Sequence, residues 1–280
     1  MFCMAVKRRA TYLFLIFSIF VTQQELCAAP HVKLRAQSAV VMNAGNGKIF
    51  YAKNPDRPMQ PASLTKILSL YLVHEAIKEG RISPSDRVKI SVDAQLTGGS
   101  SMFLVTETEV ELEELIKGMA VVSANDAAVA VAEHVGGSVE RFVEMMNAKA
   151  RKLGMRHSRF KNPNGLPAEG QVSTARDIIR LARAYIRDFP EALHFHSMQH
   201  YTFREVTQEN LNSLLKERSD VDGLKTGFVR SAGYHLIVTA TRDDTRLIVV
   251  VMGEKNPKIR AQDASRLLEA GFRMTGRRAK

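Results

Sequence analysis

Apolar residues form short runs towards both ends of the chain and recur at helical spacing in between. Five runs are expected to be strands: 38–42, 49–52, 224–229, 234–241 and 245–253. Turn residues 43–48 separate the first two runs, and the short turn 242–244 separates the last two, so each pair is predicted to be antiparallel. The pattern therefore predicts one antiparallel sheet that is completed by both ends of the chain.

Helical periodicity dominates the residues between these strands. Helices are expected at 63–79, 112–122, 126–134, 139–153, 174–189 and, after the last strand, 261–272. The first helix is apolar around most of its circumference and stops at Gly80, which is typical of a buried helix. This order of elements predicts an α/β fold with flanking helices and a helical subdomain inserted at about 93–190.

The first 29 residues have the three parts of a secretory signal. Lys7, Arg8 and Arg9 precede a 12-residue apolar run at 10–21, and small residues follow at 27–29. Twelve residues are too few to cross a bilayer, so cleavage near residue 29 is expected, and a retained anchor is the alternative. We therefore expect an exported, periplasmic protein that is soluble or loosely associated with the envelope, with one domain at 30–280.

Composition and charge narrow the class of protein further. The chain has 280 residues, 45% hydrophobic and 25% charged, which is globular and excludes disordered, collagen-like and coiled-coil proteins. Lys and Arg number 40 against 29 Asp and Glu. In an exported protein this surplus makes nucleic acid an improbable partner, and it favours loose attraction to anionic wall polymers or membranes. Cys3 and Cys27 both lie in the signal segment, so the remainder has no thiol nucleophile and no disulfide.

Three short motifs carry groups that are suited to catalysis. They are Ser63-Leu64-Thr65-Lys66 at the start of the buried helix, Ser123-Ala124-Asn125 between two helices, and Lys225-Thr226-Gly227 on a strand. A Ser and a Lys at the first spacing occur by chance, as at Ser213 and Lys216, but the three motifs in this order are not expected by chance. Class A β-lactamases and penicillin-binding proteins carry motif sets of this kind.

The first motif has the chemistry of an activated serine. Ser63 lies at a helix start, where free backbone N–H groups can stabilise an oxyanion, and Lys66 faces the same side one turn later. A lysine with an ordinary pKa of about 10.4 cannot accept a proton at neutral pH, so Lys66 must be buried or close to another cation. Lys225 is the obvious candidate for that cation.

The other two motifs supply groups that such a reaction needs. Ser123 can relay a proton to a leaving amine, and Asn125 can hold both Lys66 and a substrate amide. The strand that carries Lys225 can pair along an open edge with an extended peptide. Taken singly, each residue is better explained as a cap, a surface hydroxyl or a solvated lysine, so the inference depends on the set.

A group of histidines at 194–200 is the main candidate for a metal site. His194, His196 and His200 have no accompanying carboxylate motif, and their spacing is what a strand or loop provides by accident. We therefore expect no metal and no cofactor. Asp177 lies in the first turn of its helix and is interpreted as a carboxylate that compensates the helix dipole rather than as a catalytic group.

The chain resembles the low-molecular-mass penicillin-binding proteins, in particular the serine-type D-alanyl-D-alanine carboxypeptidases of the peptidase S11 family. The resemblance covers about 40–272 and extends beyond the three motifs. It includes Gln60-Pro61-Ala62, Asn125-Asp126-Ala127-Ala128, Asn164-Gly165-Leu166, Ser173-Thr174-Ala175-Arg176-Asp177, Asp222-Gly223-Leu224 and Ala232-Gly233-Tyr234. It implies the β-lactamase/transpeptidase-like fold, without the β-rich second domain and C-terminal anchor of many relatives.

The resemblance also implies roles for individual residues. Ser63 would be the acyl-ester nucleophile, Lys66 its base, and Ser123 with Asn125 the second catalytic element. The implied substrate-binding residues are Lys225, Thr226, Gly227, Phe228 and Arg246. Among these, Arg246 would receive the terminal carboxylate of the substrate. Phe228 stands where some relatives carry His, and its backbone N–H would serve the oxyanion hole.

The expected reaction is removal of the terminal D-alanine from peptidoglycan stem peptides that end in D-Ala-D-Ala. β-Lactam antibiotics are expected to be covalent inhibitors. A D,D-endopeptidase that cuts cross-links, a β-lactamase, and an inactive penicillin-binding sensor or wall-binding module are the alternatives. The intact set of motifs counts against the last of these.

Overall fold

A computed structural model describes residues 33–276 and is built around a five-stranded antiparallel sheet of order β2-β1-β9-β8-β7. The strands of this sheet are β1 Ser38–Asn43, β2 Ile49–Lys53, β7 Val221–Val229, β8 Gly233–Arg242 and β9 Thr245–Glu254. The predicted pairing of β1 with β2 and of β8 with β9 is confirmed. Because β1 pairs with β9, the sheet joins the two ends of the described chain.

The sheet is buried on both faces, which explains the continuous apolar run of its central strand. On β9, Ile248 and Val250 face one apolar cluster, whereas Leu247 and Val249 face another. The second cluster includes the last helix, α9, at Pro257–Gly276. A strand that is covered on both faces needs apolar side chains at successive positions instead of alternating ones.

Helices pack on the other face of the sheet and fill the middle of the chain. Their bounds are α1 Lys66–Lys78, α2 Val92–Leu96, α3 Leu112–Lys117, α4 Asn125–Gly136, α5 Val139–Lys152, α6 Ala175–Asp188 and α7 Leu193–Ser197. The short helix α8, Leu214–Glu217, packs on the α9 side instead, where Leu214 and Leu215 belong to the second cluster. Most of α1 is buried, as its apolar circumference predicts. Gly80 follows it with a φ of +70°, a conformation that favours glycine at the end of a helix.

Besides α9, which extends beyond its predicted bounds of 261–272 at both ends, two of the predicted helices differ in detail from the structure. The first begins with a 3₁₀ turn at Ala62–Thr65, so that α1 proper starts at Lys66. The predicted helix at 112–122 divides into α3 and a π-helical turn at Gly118–Val122, after which Ser123 takes a φ of +65°. Both departures lie where one of the three motifs occurs, and π-turns are frequent at functional sites.

Short elements that the hydrophobic pattern did not predict connect the larger ones. They are the hairpins β3 Arg87–Lys89 with β4 Glu109–Glu111 and β5 His200–Phe203 with β6 Val206–Glu209, together with α2, α7 and α8. His194 and His196 lie on α7, so the expectation of a strand or loop at these residues is wrong. Three to five residues are too few for a hydrophobic period to be recognised.

Some predictions fall outside the described residues. The secretory signal at 1–29 lies there, and so does the basic end of the chain at 277–280. Among residues 33–276, no helix is long and apolar enough to cross a membrane.

Candidate active site

Ser63 lies in the 3₁₀ turn, between a loop and an edge strand that both approach it closely. Gly165 packs against the turn, because a Cβ at this position would be 1.9 Å from the Ala62 carbonyl oxygen. From the other side, a Cβ at Gly227 would be 3.2 Å from the Ser63 backbone nitrogen. Glycine at these two positions therefore lets the loop at 162–166 and strand β7 close around the serine.

Lys66 is completely buried and contacts Ser63 directly. Its Nζ lies 3.1 Å from Ser63 Oγ, 2.6 Å from Asn125 Oδ1 and 2.7 Å from the Asn164 carbonyl oxygen. Burial, followed by the positive charge of Lys225, holds the pKa of Lys66 well below its ordinary value. The structure thus brings together the serine and lysine of the first motif and the asparagine of the second.

Asn125 is fixed from both of its ends. Its side-chain nitrogen donates to the Gly98 carbonyl over 2.7 Å, and its backbone N–H donates to the Ser100 carbonyl over 2.7 Å. The carboxylate of the next residue, Asp126, accepts from the Ser101 hydroxyl at 2.6 Å and from backbone N–H groups of the same loop. The loop at 98–104 is therefore held against the second motif, of which Ser123 is also buried.

Lys225 is the second buried lysine of the site. Its Nζ donates to the Thr226 carbonyl over 3.1 Å, and the side chain is 2% exposed. Burial and the positive charge of Arg260 lower the pKa of Lys225 to about 7. A buried ammonium group without a carboxylate partner is costly, so the arrangement is suited to an anionic ligand.

Strand β7 places the rest of the third motif at an edge of the sheet. Its only partner within the described sheet is β8, so its outer edge is open to an extended peptide. Thr226 is buried, whereas Phe228 is 51% exposed and stacks on Tyr234 with ring centroids 4.3 Å apart. Thr226 and Phe228 lie on the face of β7 opposite to Gly227, since successive side chains of a strand alternate.

The structure does not bring Arg246 together with these residues. Its guanidinium pairs with Asp222 over 2.7 Å and donates to Thr239 Oγ1 over 2.9 Å. Arg246 is opposite Thr241, six residues along β8 from the position that faces Gly227, or about 20 Å. The expectation that Arg246 receives a substrate carboxylate is therefore corrected, because its register places it beside the β8–β9 turn.

Arg260 is the buried cation that the sequence analysis missed. It lies near the start of α9 and is 5% exposed, and one of its terminal nitrogens donates to the Leu211 carbonyl over 2.9 Å. Within residues 33–276 its Nε has no hydrogen-bond partner, and burial lowers its pKa to about 10. The last helix was predicted to start at 261, so Arg260 was assigned to the loop before it. Its position one turn before the buried residues of α9 could have indicated that it is buried too.

Two buried histidines hold the backbone around the site. His235 faces Gly227 on β8; its Nδ1 accepts from the Gly253 N–H over 3.0 Å, so its Nε2 carries the proton and donates to the Gln60 carbonyl over 3.0 Å. His196 Nδ1 donates to the Leu224 carbonyl over 2.9 Å. Burial lowers the pKa of His235 to about 4 and that of His196 to about 3, so both are neutral near pH 7.

The remaining candidates have structural roles. Lys216 pairs with Glu209 over 2.7 Å at the surface, so the second Ser and Lys at this spacing form no buried pair. His196 Nε2 accepts from the Tyr185 hydroxyl at 3.1 Å, which commits both nitrogens of this ring. Between residues 33 and 276 no group of three or more His, Cys, Asp or Glu side chains is arranged to hold a metal ion.

Comparisons with known proteins identify the family of the chain. The family model of peptidase S11, described as D-alanyl-D-alanine carboxypeptidase, matches residues 23–256. D-alanyl-D-alanine carboxypeptidase DacC of Escherichia coli K12 is 41% identical over 271 residues, which are 94% of this chain and 67% of that protein. The chain thus spans about two thirds of the length of the curated relatives that it matches.

Solved structures lead to the same family. Penicillin-binding protein 5 from Haemophilus influenzae is 41% identical with a TM-score of 0.84, over 86% of this chain and 72% of that one. Penicillin-binding protein D2 from Listeria monocytogenes, in its ampicillin-bound form, is 33% identical with a TM-score of 0.80, over 87% and 99%. The fold is that of the β-lactamases and transpeptidases, and the chain belongs to the peptidase S11 family of D-alanyl-D-alanine carboxypeptidases.

Proposed function

We propose that this protein removes the terminal D-alanine from peptidoglycan stem peptides through an acyl ester on Ser63. The observation that carries the proposal is the environment of Lys66. Its amine lies 3.1 Å from Ser63 Oγ, is completely buried, and has neutral oxygen atoms as its hydrogen-bond partners. Such an environment disfavours the ammonium form and leaves an amine that can act as a base.

The hydrogen bonds of Lys66 account for each of its protons. A neutral amine has two hydrogens and one lone pair. Donation to Asn125 Oδ1 and to the Asn164 carbonyl uses both hydrogens, because these oxygens can only accept. The lone pair is then left for the hydroxyl of Ser63, whose proton it can take as Oγ attacks the substrate carbonyl.

The reaction then follows the usual course of acyl transfer. The bond from Ser63 Oγ to the carbonyl carbon of the penultimate D-alanine forms, and the negative oxygen is stabilised by backbone N–H groups of Ser63 and Phe228. The carbon–nitrogen bond breaks as the proton taken by Lys66 passes to the leaving amine, with Ser123 as the relay. Water later adds to the ester, and free Ser63 is restored with a shortened peptide.

Two buried cations support recognition of the terminal carboxylate. Lys225 and Arg260 are both nearly inaccessible, and no carboxylate of the described chain pairs with either. A substrate carboxylate would compensate this charge. We infer that Arg260, not Arg246, joins Lys225 in this role, while the open edge of β7 around Thr226 and Gly227 pairs with the peptide. β-Lactams, whose carboxylate has the same charge, would acylate Ser63 in the same way.

The test is to incubate the purified protein with whole muropeptides and to weigh the products. Loss of one alanine from pentapeptides is expected, and Ser63→Ala should abolish it while Ser213→Ala does not. Splitting of cross-linked dimers without release of alanine would make the protein an endopeptidase. Covalent labelling by penicillin without any peptide product would support a sensor.

For location, we propose export to the periplasm with at most loose attachment by charge. The basic and apolar pattern of residues 1–29 supports this proposal. Cell fractionation should find the protein chiefly in the soluble periplasmic fraction, with an N-terminus near residue 29, and a salt wash should release any membrane-bound portion. Retention through high salt with Met1 still present would instead indicate an uncleaved anchor.

A further inference from the structure

The positive charge of the chain is concentrated in one segment. Residues 33–276 contain 34 Lys and Arg against 28 Asp and Glu, a surplus of six. No acidic residue occurs between 145 and 168, whereas that stretch contains six Lys and Arg. The segment includes the last turns of α5 and leads into the loop that supplies Asn164 to the active site.

Most of these cations have no acidic partner. Within the described chain, Lys149 pairs with Glu75, but five exposed cations of the segment form no ion pair. They are Arg151, Lys152, Arg156, Arg159 and Lys161. Elsewhere on the surface, cations such as Arg87 and Lys216 lie against glutamates. The segment therefore has a net positive charge that acidic side chains do not neutralise.

Five arginines line two adjoining clefts, which we name the arginine face: Arg151, Arg156, Arg159, Arg176 and Arg180. The first cleft, of about 510 Å³, lies beside α5 and is lined by the first three. The second, of about 700 Å³, lies beside α6 and is lined by the last two together with Arg156 and His157. Arg156 lines both clefts, so the arginine face is continuous.

Acidic groups on the arginine face are few, and they hold its walls in place. Asp56 pairs with Arg176 over 2.6 Å, and the buried Asp177 pairs with Arg180 over 3.0 Å. Arg180 also donates to the Gly154 carbonyl over 3.1 Å, which ties α6 to the cationic segment. Glu144 lines the first cleft but forms no ion pair with the three arginines there. Those three remain available to a ligand.

We propose that the arginine face binds consecutive phosphate groups of a linear polyanion. A phosphate group has enough oxygens to accept from several guanidinium groups at once, whereas a carboxylate is matched by a single arginine. Two adjoining clefts suit groups that are linked along one chain, because the second contact then forms at a high effective concentration. Because Arg156 lines both clefts, one strand can run from the first cleft into the second and contact the arginines of each.

The proposal does not depend on the proposed peptidase activity. None of the five arginines contacts Ser63 or Lys66, and binding can be measured in the Ser63→Ala protein. Failure of the peptidase assay and failure of polyanion binding are therefore separate results.

The experiment is calorimetric titration with short-chain inorganic polyphosphate at several NaCl concentrations. The unmodified protein is expected to bind, with an affinity that falls as salt rises. The triple variant Arg151→Gln, Arg156→Gln, Arg159→Gln should bind at least about tenfold more weakly, and the slope of log Kd against log salt should fall by about two. All three side chains are exposed and unpaired within the described residues, so the variant is expected to fold.

A matched control separates this site from net charge. The variant Lys255→Gln, Lys258→Gln, Arg273→Gln removes the same charge from exposed positions on and before α9, and should bind almost as well as the unmodified protein. Equal weakening in both variants, or no binding by the unmodified protein, would overturn the proposal. So would tighter binding to phosphatidylglycerol vesicles than to polyphosphate with the same dependence on the three arginines, which would assign the surface to a membrane.

Discussion

Lys66 and Lys225 are coupled through charge, and under the proposed mechanism this coupling sets the pH at which Ser63 becomes reactive. Burial and the charge of Lys225 both act on Lys66 in the same direction. Removing Lys225 removes the second influence, so the pKa of Lys66 rises. Because only the neutral amine is a base, less of it is then present at a given pH.

The Lys225→Ala variant should therefore acylate with penicillin along a pH profile that is shifted to higher pH. Rates measured from pH 6 to 10 check this, and an unchanged profile would mean that Lys225 does not tune Lys66. In contrast, Lys66→Arg should lower the acylation rate at every pH by about 10²–10⁴-fold, since a guanidinium cannot give up its proton.

Replacing Arg260 and replacing Arg246 should have different effects on substrate binding. Arg260→Ala should lower kcat/KM for a peptide ending in D-Ala-D-Ala by about 10–100-fold, the usual effect of losing a charged hydrogen bond. Arg246→Ala should leave it near the original value, because that guanidinium is paired with Asp222. Steady-state kinetics of the two variants decide the matter. A large loss in Arg246→Ala alone would restore the earlier assignment.

His235 connects acid stability to the loop that precedes Ser63. Its pKa is about 6.5 in the unfolded chain and about 4 in the fold, so the unfolded state takes up a proton first as the pH falls. The stability that it contributes is complete above pH 6.5 and is lost towards pH 4. Between pH 7 and pH 4.5 this loss is about 2 kcal/mol.

Urea unfolding of His235→Gln tests this linkage. An amide can donate to the Gln60 carbonyl and accept from the Gly253 N–H without titrating, so the variant should lose less stability between pH 7 and pH 4.5 than the unmodified protein does. It should also keep most of its penicillin acylation rate, whereas His235→Ala should lose it. Equal acid sensitivity in both proteins would show that His235 is not responsible.

Among single residues, the sequence was sufficient to locate functional groups that are close together along the chain. Ser63 and Lys66 are three residues apart, and helical geometry alone places them on one side. Arg260 and His235 reach the site through strand register and the entry of α9, so no local spacing marks them. For Arg246 the assignment itself was wrong. It is a basic residue on β9, as expected, but it lies at the end of the strand that is far from Gly227.

Among the elements, the loop at 162–166 depends on close approach at Gly165. Its φ is +86°, and a Cβ there would overlap the Ala62 carbonyl. Gly165→Ala should therefore push the loop and its Asn164 carbonyl away from Lys66. We expect penicillin acylation to fall by at least about tenfold, with a loss of stability of about 1–3 kcal/mol from the strained backbone.

Gly137→Ala is the matched control for this element. Gly137 has a φ of +79°, but a Cβ there would meet no atom of the described chain within 4 Å. The same backbone strain should then reduce stability without slowing acylation. Equal acylation rates in the two variants would mean that close approach at Gly165 is not required.

The long elements were predictable, and the short ones were not. Helices α4, α5 and α6 repeat their apolar positions over several turns and lie close to their expected bounds. By comparison, α7 and hairpin β5–β6 are fixed by tertiary contacts, such as the bond of His196 to the Leu224 carbonyl. The π-turn before Ser123 likewise follows an apolar run that reads as ordinary helix.

For the whole molecule, the lifetime of the penicillin ester on Ser63 distinguishes a peptidase from a β-lactamase. Class A β-lactamases activate the deacylating water with a glutamate of a Glu-x-x-Leu-Asn loop motif. Glu169, the only glutamate of the loop at 162–170, is exposed and is followed by Gly-Gln-Val-Ser. Penicillin should therefore remain bound as a slowly hydrolysed ester. Mass spectrometry over time checks this, and rapid turnover abolished by Glu169→Gln would identify a β-lactamase.

The fold class was predictable, because strand patterns at both ends of the chain and helices between them are compatible with few arrangements of sheet and helices. The order of its strands was not, because the pairing of β1 with β9 joins segments that no turn connects. The three motifs and their resemblance to a known family identified the fold more sharply than periodicity did.

The pairing of β1 with β9 also governs when the chain can fold. Val40 is opposite Val250, so the first strand, which pairs with β2 along one edge, gains a partner along its other edge only 210 residues later. Contacts at such separation form slowly, since the intervening chain must be ordered or looped out first. During synthesis, the first strand and the serine turn therefore emerge long before the sheet that supports them. The five-stranded sheet can therefore be completed only once β9 has been made, close to the end of synthesis.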